Sequence, residues 1–409
     1  MRRSIPAVAV MAGLALTLTA CSSGDDNASS DDSTTAAAGD GGTLTIWVDE
    51  TRQDAVEAAA QDFTAETGTQ VETVLKNYDD IRTDFIAQVP TGEGPDITVG
   101  AHDWLGELTT NGVVAPIELG DLADDFEEVS VEAFTQDGQV YGLPYAVENI
   151  ALIRNTALAA DAPTTWDEMI AAGEAAGTTY PVLIQTGEEG DPYTYYPLQT
   201  SFGAPVFEQN DDGSYNSTLA MGGANGEAFA TWLAEQGAAG TIDTAITYDI
   251  ALEAFKNGES PFIIGGPWML DSFSDLDLAV SAIPSAGGQE AQPFAGVQGF
   301  YVSAQSDNAL LANDFLLNYM STEDAQLALY EAGHRPPALI AAADVASEDP
   351  VTAGFREVGT TAAPMPSIPE MASVWTFWGV TEAAIITGSQ EPVPAWQKMI
   401  SDIEGAIGG

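Results

Sequence analysis

Hydrophobic positions switch between two periods along most of the chain. Leu44 to Val48 form a short β-rich run, and Val56, Ala59, Ala60 and Phe63 then recur at helical spacing until Gly68 supplies a C-cap. Val71 to Leu75 reads as a second strand, Ile81, Phe85 and Val89 as the face of a second helix, and Asp96 to Val99 as a third strand after the Gly92-Glu93-Gly94-Pro95 break. This βαβαβ run predicts a right-handed parallel unit, with ligands met beyond the carboxyl ends of its strands. Asp49 follows the first strand and His102-Asp103-Trp104 the third, where that rule places a site. Further on, Thr165-Trp166-Asp167-Glu168 is a capping box that opens a helix. An Ile246 to Phe255 helix leads through Asn257-Gly258 to a strand over Pro261 to Ile264, which Gly265-Gly266-Pro267-Trp268 ends with a turn. Ala309 to Gly333 reads as wholly helical, and the chain is helical again from Met371. No repeat and no linker divides this body, so the expected fold is α/β, with two lobes joined by chain crossovers.

The N-terminus departs from the alternation. Arg2 and Arg3 form a basic head, Ile5 to Ala20 is an almost unbroken apolar and Thr stretch, and Cys21 follows Leu18-Thr19-Ala20. That stretch falls short of the about twenty residues that span a bilayer. Residues 1–20 therefore read as a secretory leader. Leu18-Thr19-Ala20-Cys21 resembles the bacterial lipobox, which implies a lipidated Cys21 at the mature N-terminus, and several acyl chains make a durable anchor. Residues 21–42 hold no large apolar side chain to offset the entropy of ordering, so they read as a flexible tether. The expected location is the outer face of the cytoplasmic membrane, lipid-anchored.

Charge narrows the partners. The 409 residues carry 62 Asp and Glu against 10 Lys and Arg, a net charge of -52. Phosphate binding needs clustered cations, so nucleic acid, bare anionic bilayers and multiply anionic ligands are disfavoured. A single cysteine rules out an intramolecular disulfide framework and a multi-Cys zinc site, and two histidines, His102 and His334, leave little for a His-rich one. No Lys follows a Gly, so there is no P-loop, and Gly-x-Ser-x-Gly is absent. No cofactor or metal is called for, and a non-enzymatic monomer is expected.

Several motifs then occur in a telling order. Thr43-Leu44-Thr45-Ile46-Trp47, Gly94-Pro95-Asp96-Ile97, Ala101-His102-Asp103, Pro144-Tyr145-Ala146-Val147-Glu148, Asp191-Pro192-Tyr193, Gly265-Gly266-Pro267-Trp268 and Met365-Pro366-Ser367-Ile368-Pro369-Glu370-Met371 follow the sequence seen in maltose-binding proteins. The chain from Thr43 onward resembles that family, the substrate-binding components of bacterial ABC sugar importers. The resemblance implies a periplasmic-binding-protein-like, type II-like fold whose two hinged lobes close on a sugar. Crossings are implied near Glu148, Phe300 and Ala341, dividing the body into 43–148 with 300–340 and 149–299 with 341–409. It also implies ABC permease transmembrane subunits as partners, and maltose or maltodextrin as cargo. Carried over singly, Asp49, Arg52, Asp103 and Glu148 resemble polar sugar contacts of the first lobe. Asp191, Tyr193, Tyr248, Trp268 and Trp375 resemble those of the second, with the two Trp rings as stacking platforms. The sequence departs from the family at Gly100, where the family has Trp, and at Trp104, where it has Arg. A stacking ring is thereby expected to have moved to Trp104.

The chemistry is consistent with such a ligand. A pyranose offers an apolar C–H face to aromatic rings and hydroxyls to acceptors in its plane, so a sugar site pairs Trp or Tyr with carboxylates and an Arg. Most Trp residues are nonetheless core residues, and Trp47, Trp166 and Trp232 are expected there. Two other readings use the same residue types. An extracellular glycosidase also sets carboxylates near Trp, and a binding protein for a cationic ligand such as a polyamine exploits acids and rings through cation–π contact.

Overall fold

The computed structural model describes residues 42–210 and 214–408. The expected leader 1–20, the expected lipidation at Cys21 and the expected tether up to residue 41 lie outside the described residues. Among those described, no helix is long and apolar enough to cross a membrane.

The first strands and helices follow the periodicity. β1 (Thr43–Val48), β2 (Gln70–Leu75) and β3 (Ile97–Ala101) alternate with α1 (Gln53–Thr67) and α2 (Tyr78–Gln88). Gly68 ends α1 at φ 77° and donates its N–H to Thr64 O, in the left-handed conformation that glycine adopts at no steric cost. β1 pairs in parallel with both β2 and β3. Four further strands, β4 (Val114–Ala115), β5 (Gly142–Glu148), β10 (Phe294–Ser303) and β11 (Ala363–Pro364), complete a 7-stranded sheet. Its order is β11-β10-β3-β1-β2, with β4 and β5 also paired to β10. The Asp of Gly94-Pro95-Asp96-Ile97 has a structural task here. Its Oδ2 accepts the Thr45 N–H at 2.8 Å and its Oδ1 the Ser306 hydroxyl at 2.5 Å, tying β1 to the chain beyond β10.

A second sheet is formed by β6 (Ala151–Asn155), β7 (Leu183–Ile184), β8 (Phe262–Gly265) and β9 (Leu278–Ser281), in the order β9-β6-β8-β7. Alternate residues of β6 and β8 face opposite ways, as the period of a strand requires. Leu152 and Ile264 join a core with Tyr195, Phe229, Trp378 and Trp396, while Ile153 and Ile263 join a smaller one with Phe255, Phe273 and Phe355. The first sheet has its own core around Leu44, Val56, Phe63, Val99 and Phe300. Trp47, Trp166 and Trp232 are buried, as expected.

The chain leaves the first core between Ala146 and Ile150, re-enters it between Phe294 and Val297, and leaves again after Ala342. The fold is thus α/β and periplasmic-binding-protein-like, with two lobes. The middle passage lies inside β10, slightly before Phe300, so one continuous strand serves both halves.

Helix boundaries depart from the pattern in two places. The single helix expected over Ala309 to Gly333 is α8 (Ala309–Phe315), a π turn (Leu316–Met320) and a separate α9 (Glu323–Gly333). Thr322 starts α9 afresh by accepting the Ala325 N–H at 3.3 Å. The box opening α4 (Trp166–Ala176) is shifted: Thr165 Oγ1 accepts the Glu168 N–H at 3.2 Å, but Glu168 reaches Thr164 N at 3.0 Å instead of Thr165.

Candidate ligand-binding site

The end of β1, the end of β5 and the middle of β10 bring a run of polar side chains together. Asp49 Oδ1 accepts from Thr51 N–H at 2.8 Å and Thr51 Oγ1–H at 2.7 Å, and its Oδ2 pairs with Arg52. Arg52 also donates to the Tyr145 hydroxyl and, at 3.2 Å, to Gln298 Oε1. Burial alone would lower the pKa of this guanidinium, but the oxygens of Tyr145 and Asp49 outweigh it and the pKa is raised. Gln298 accepts a further bond from Tyr78 Oη at 2.7 Å and donates to Glu148 Oε1 at 2.9 Å. Glu148 Oε2 accepts from Arg335 Nε at 2.6 Å. Asp49, Arg52 and Glu148 therefore belong to one buried chain of bonds.

Rings dominate the opposite side. Trp268 lies in a short 3-10 turn (Pro267–Phe273) after β8, and Tyr193 in the first turn of α5 (Pro192–Thr200). Their ring centres are 6.3 Å apart. Tyr193 continues to Phe294 at 6.1 Å, and Phe294 to Trp375 of α11 (Met371–Ile386) at 6.4 Å. Trp268 and Trp375 are half-buried and belong to one aromatic wall. An open cleft of ≈ 450 Å³ is lined by Asp191, Tyr193, Trp375, Gly379 and Val380.

The two sides meet at Gly296, which pairs in register with Glu148. A Cβ there would lie 3.2 Å from Glu148 Cγ and 3.5 Å from Tyr193 Oη. That hydroxyl is buried and has no hydrogen-bond partner among the described residues. Buried hydroxyls are nearly always satisfied, so this one marks a place where a polar group is wanted. Burial, then the charge of Glu148, raises its pKa well above the ordinary tyrosine value, which keeps it a donor.

The remaining expected contacts fare differently. Trp104 is packed into the first core with only 8% exposure, its ring over Gly100, where a Cβ would lie 2.6 Å from Cε3 and Cζ3. The indole thus occupies the space that Gly100 leaves, and it packs at a tilt of 39° against Tyr78, with ring centres 5.3 Å apart. Asp103 is half-buried beside it, and burial raises its carboxyl pKa. Asp191 caps α5, accepting from Thr194 N at 3.1 Å, Thr194 Oγ1 at 2.8 Å and Gln185. Tyr248, at the start of α7 (Tyr248–Lys256; α6 is Gly223–Ala239), is 38% exposed and stands apart from the ring contacts of the wall. His102 is a tie between halves: its Nδ1 accepts the Val297 N–H at 3.0 Å, so Nε2 carries the proton and donates to Met365 O at 3.0 Å.

Tyr78, Tyr145, Gln298, Phe294 and Arg335 are the residues that sequence reasoning missed. Tyr145 lay inside a quoted motif, three residues before Glu148. The others sit outside the motifs, and only the pairing of β10 with β3 and β5 brings Gln298 to Arg52. Among the described residues, no three His, Cys, Asp or Glu side chains cluster as metal ligands.

Residues 58–354 match the family described as bacterial extracellular solute-binding protein. The maltodextrin-binding protein MdxE of Bacillus subtilis (strain 168) is 30% identical over 380 residues, 89% of this chain and 88% of that protein. A maltooligosaccharide ABC transporter solute-binding lipoprotein of Streptococcus pneumoniae (strain ATCC BAA-255 / R6) is 27% identical over 352 residues, 81% of each. Among solved structures, the Thermus thermophilus maltotriose binding protein bound with maltotriose shares the fold with a TM-score of 0.81. Its identity is 31%, and the match covers 89% of this chain and 100% of that one. With the family matched over most of the folded body, the chain belongs to the bacterial extracellular solute-binding proteins.

Proposed function

We propose that this protein captures maltooligosaccharides outside the cell and delivers them to the transmembrane subunits of an ABC importer, without itself performing catalysis. The relatives named above, all described as binding maltodextrin, maltooligosaccharide or maltotriose, support the substrate class. One observation carries the reading at the site: the buried, unpartnered Tyr193 hydroxyl faces the Glu148 side of Gly296, beside the half-buried ring of Trp268. A sugar ring laid on Trp268 accepts a hydrogen bond from that hydroxyl and donates its own hydroxyls to Glu148, while its C–H face covers the indole. Asp49 and Arg52 act behind this contact by fixing Gln298. Asp191 and Trp375 line the open cleft, Trp375 as a second platform, and Asp103 and Tyr248 are further sugar contacts of this reading. A few such contacts, after ordering costs, give roughly -8 kcal/mol, in the micromolar range.

Sugar touching both halves stabilises the closed arrangement by its differential affinity, and the closed form is what the permease receives. The moving bodies are 43–148 with 300–340 and 149–299 with 341–409, the crossing inside β10 falling slightly earlier, between Phe294 and Val297. Cys21 holds the protein at the outer membrane face through its lipid, so Cys21→Ser releases it into the medium. Persistent membrane association of that variant contradicts the anchor.

Calorimetry with maltotriose, a galactooligosaccharide and spermidine tests the substrate. Maltotriose binds with the strongest heat and raises the melting temperature. Tight spermidine binding without sugar binding supports the cationic-ligand alternative, and reducing-sugar release from glucans supports the glycosidase one.

A further inference from the structure

Arg335 follows α9, outside every motif that pointed to the site, yet it touches both halves of it. Its Nε bonds Glu148 Oε2 at 2.6 Å, and its guanidinium carbon lies 5.6 Å from the centre of the Trp268 ring. Glu148 stands on β5 with its other oxygen held by Gln298, whereas Trp268 stands on the turn after β8. The preceding residue grips the same turn: His334 Nε2 donates to Asp271 Oδ1 at 2.8 Å. His334 has φ 52°, left-handed for a non-glycine, and its N–H closes α9 on Tyr330 O at 2.6 Å. The chain thus leaves α9 at a fixed angle that directs Arg335 between the halves. The Arg335 side chain is only 11% exposed. A guanidinium suits this place because its edge bonds a carboxylate while its face stacks on an indole, which an ammonium does less well.

We propose that Arg335 is a positioning residue of the binding site, setting the plane of Trp268 in the second half from the carboxylate of Glu148 in the first. This rests on reading the cleft as an oligosaccharide site. The stacking ring and the hydroxyl acceptor are then held in one register, and the spacing between them selects the sugar unit that fits. A consequence is that Glu148 acts on Trp268 through Arg335.

The test uses the full chain labelled with 5-fluorotryptophan, with the Trp268 fluorine resonance assigned by Trp268→Phe. Arg335→Met moves that resonance, Arg335→Lys moves it less, and Glu148→Gln moves it as well. In calorimetry with maltotriose, Arg335→Met weakens binding roughly 10-fold, and the Glu148→Gln/Arg335→Met pair costs less than the two single losses added. A Trp268 resonance unmoved by Glu148→Gln overturns the proposal whether or not sugar binds, and so do additive losses. If Arg335→Met does not fold, Arg335→Lys and Glu148→Gln still decide by the same resonance. A wild-type chain that binds no maltotriose but shows the coupled shift refutes the sugar reading and leaves the positioning role standing.

Discussion

The polar network and the aromatic wall are built on opposite principles. On the first, every polar group is engaged: Asp49, Arg52, Gln298, Tyr78, Tyr145 and Glu148 bond one another in a continuous chain. On the second, Trp268, Tyr193, Phe294 and Trp375 form a wall of rings with a hydroxyl left unpaired. A pre-bonded network costs little reorganisation when a ligand arrives and fixes where acceptors point. A wall of rings fixes little in direction but supplies apolar area and stacking, worth about 0.5 to 1.5 kcal/mol per aromatic contact beyond burial. On the proposed sugar reading, the network orients the ligand and the wall supplies affinity.

The sharpest way to break this comparison is to remove the rings. Trp268→Ala and Trp375→Ala each weaken maltotriose binding by about 2 kcal/mol, near 30-fold, while the circular dichroism of the fold is retained. Unchanged affinity by calorimetry removes that ring from the site.

A second contrast lies beneath the wall. Glu382, one turn beyond Gly379 on α11, is fully buried, and neither of its carboxyl oxygens has a well-formed hydrogen bond among the described residues. Burial, then the charge of Asp191, raises its pKa well above the ordinary carboxyl value. An acid raised on folding contributes stability that is present below its unfolded pKa and lost as pH rises through the folded one. Glu382→Gln therefore stabilises the protein at pH 8, by about 1 to 3 kcal/mol, with the gain vanishing toward pH 4. Denaturant midpoints at the two pH values check this, and a gain independent of pH refutes the assignment.

On the polar side, Gly100→Ala forces a Cβ against the Trp104 ring and costs about 1 to 3 kcal/mol as overpacking. An unshifted denaturant midpoint shows that the ring does not depend on this glycine. The smallest effect concerns an exposed contact between Arg356 and Glu127. Arg356 Nη2 lies 2.8 Å from Glu127 Oε1, with both side chains over a third exposed. Arg356→Ala costs at most about 1 kcal/mol and leaves affinity unchanged. A large loss of affinity shows that the halves are held from outside the cleft.

Sequence patterning reached β1 through β3 and their helices because each is a local run with a clean period, with Gly68 and the Gly92-Glu93-Gly94-Pro95 break punctuating the helices. Glu148 and Trp268 came from the family resemblance, and the structure places both beside Arg335. The partition of α8 and α9 was missed, since Thr322 reads as one polar residue in a long helical pattern until its hydroxyl is seen capping Ala325. Gln298 and Arg335 were invisible for a different reason. A glutamine in a buried strand and an arginine after a helix carry no local signal, and their role exists only through partners 150 and 187 positions away in the chain. Trp104 shows the converse: the exchange with Gly100 was legible, but only the packing reveals that the indole is a core residue at the network's edge.

The most direct measurement is a crystal structure of the protein with maltotriose. A glucose unit lying on Trp268, with hydroxyls within hydrogen-bond distance of both Glu148 and Tyr193 Oη, is the predicted result. A sugar bound elsewhere, or held by one side of the cleft alone with the Tyr193 hydroxyl still unpaired, contradicts it.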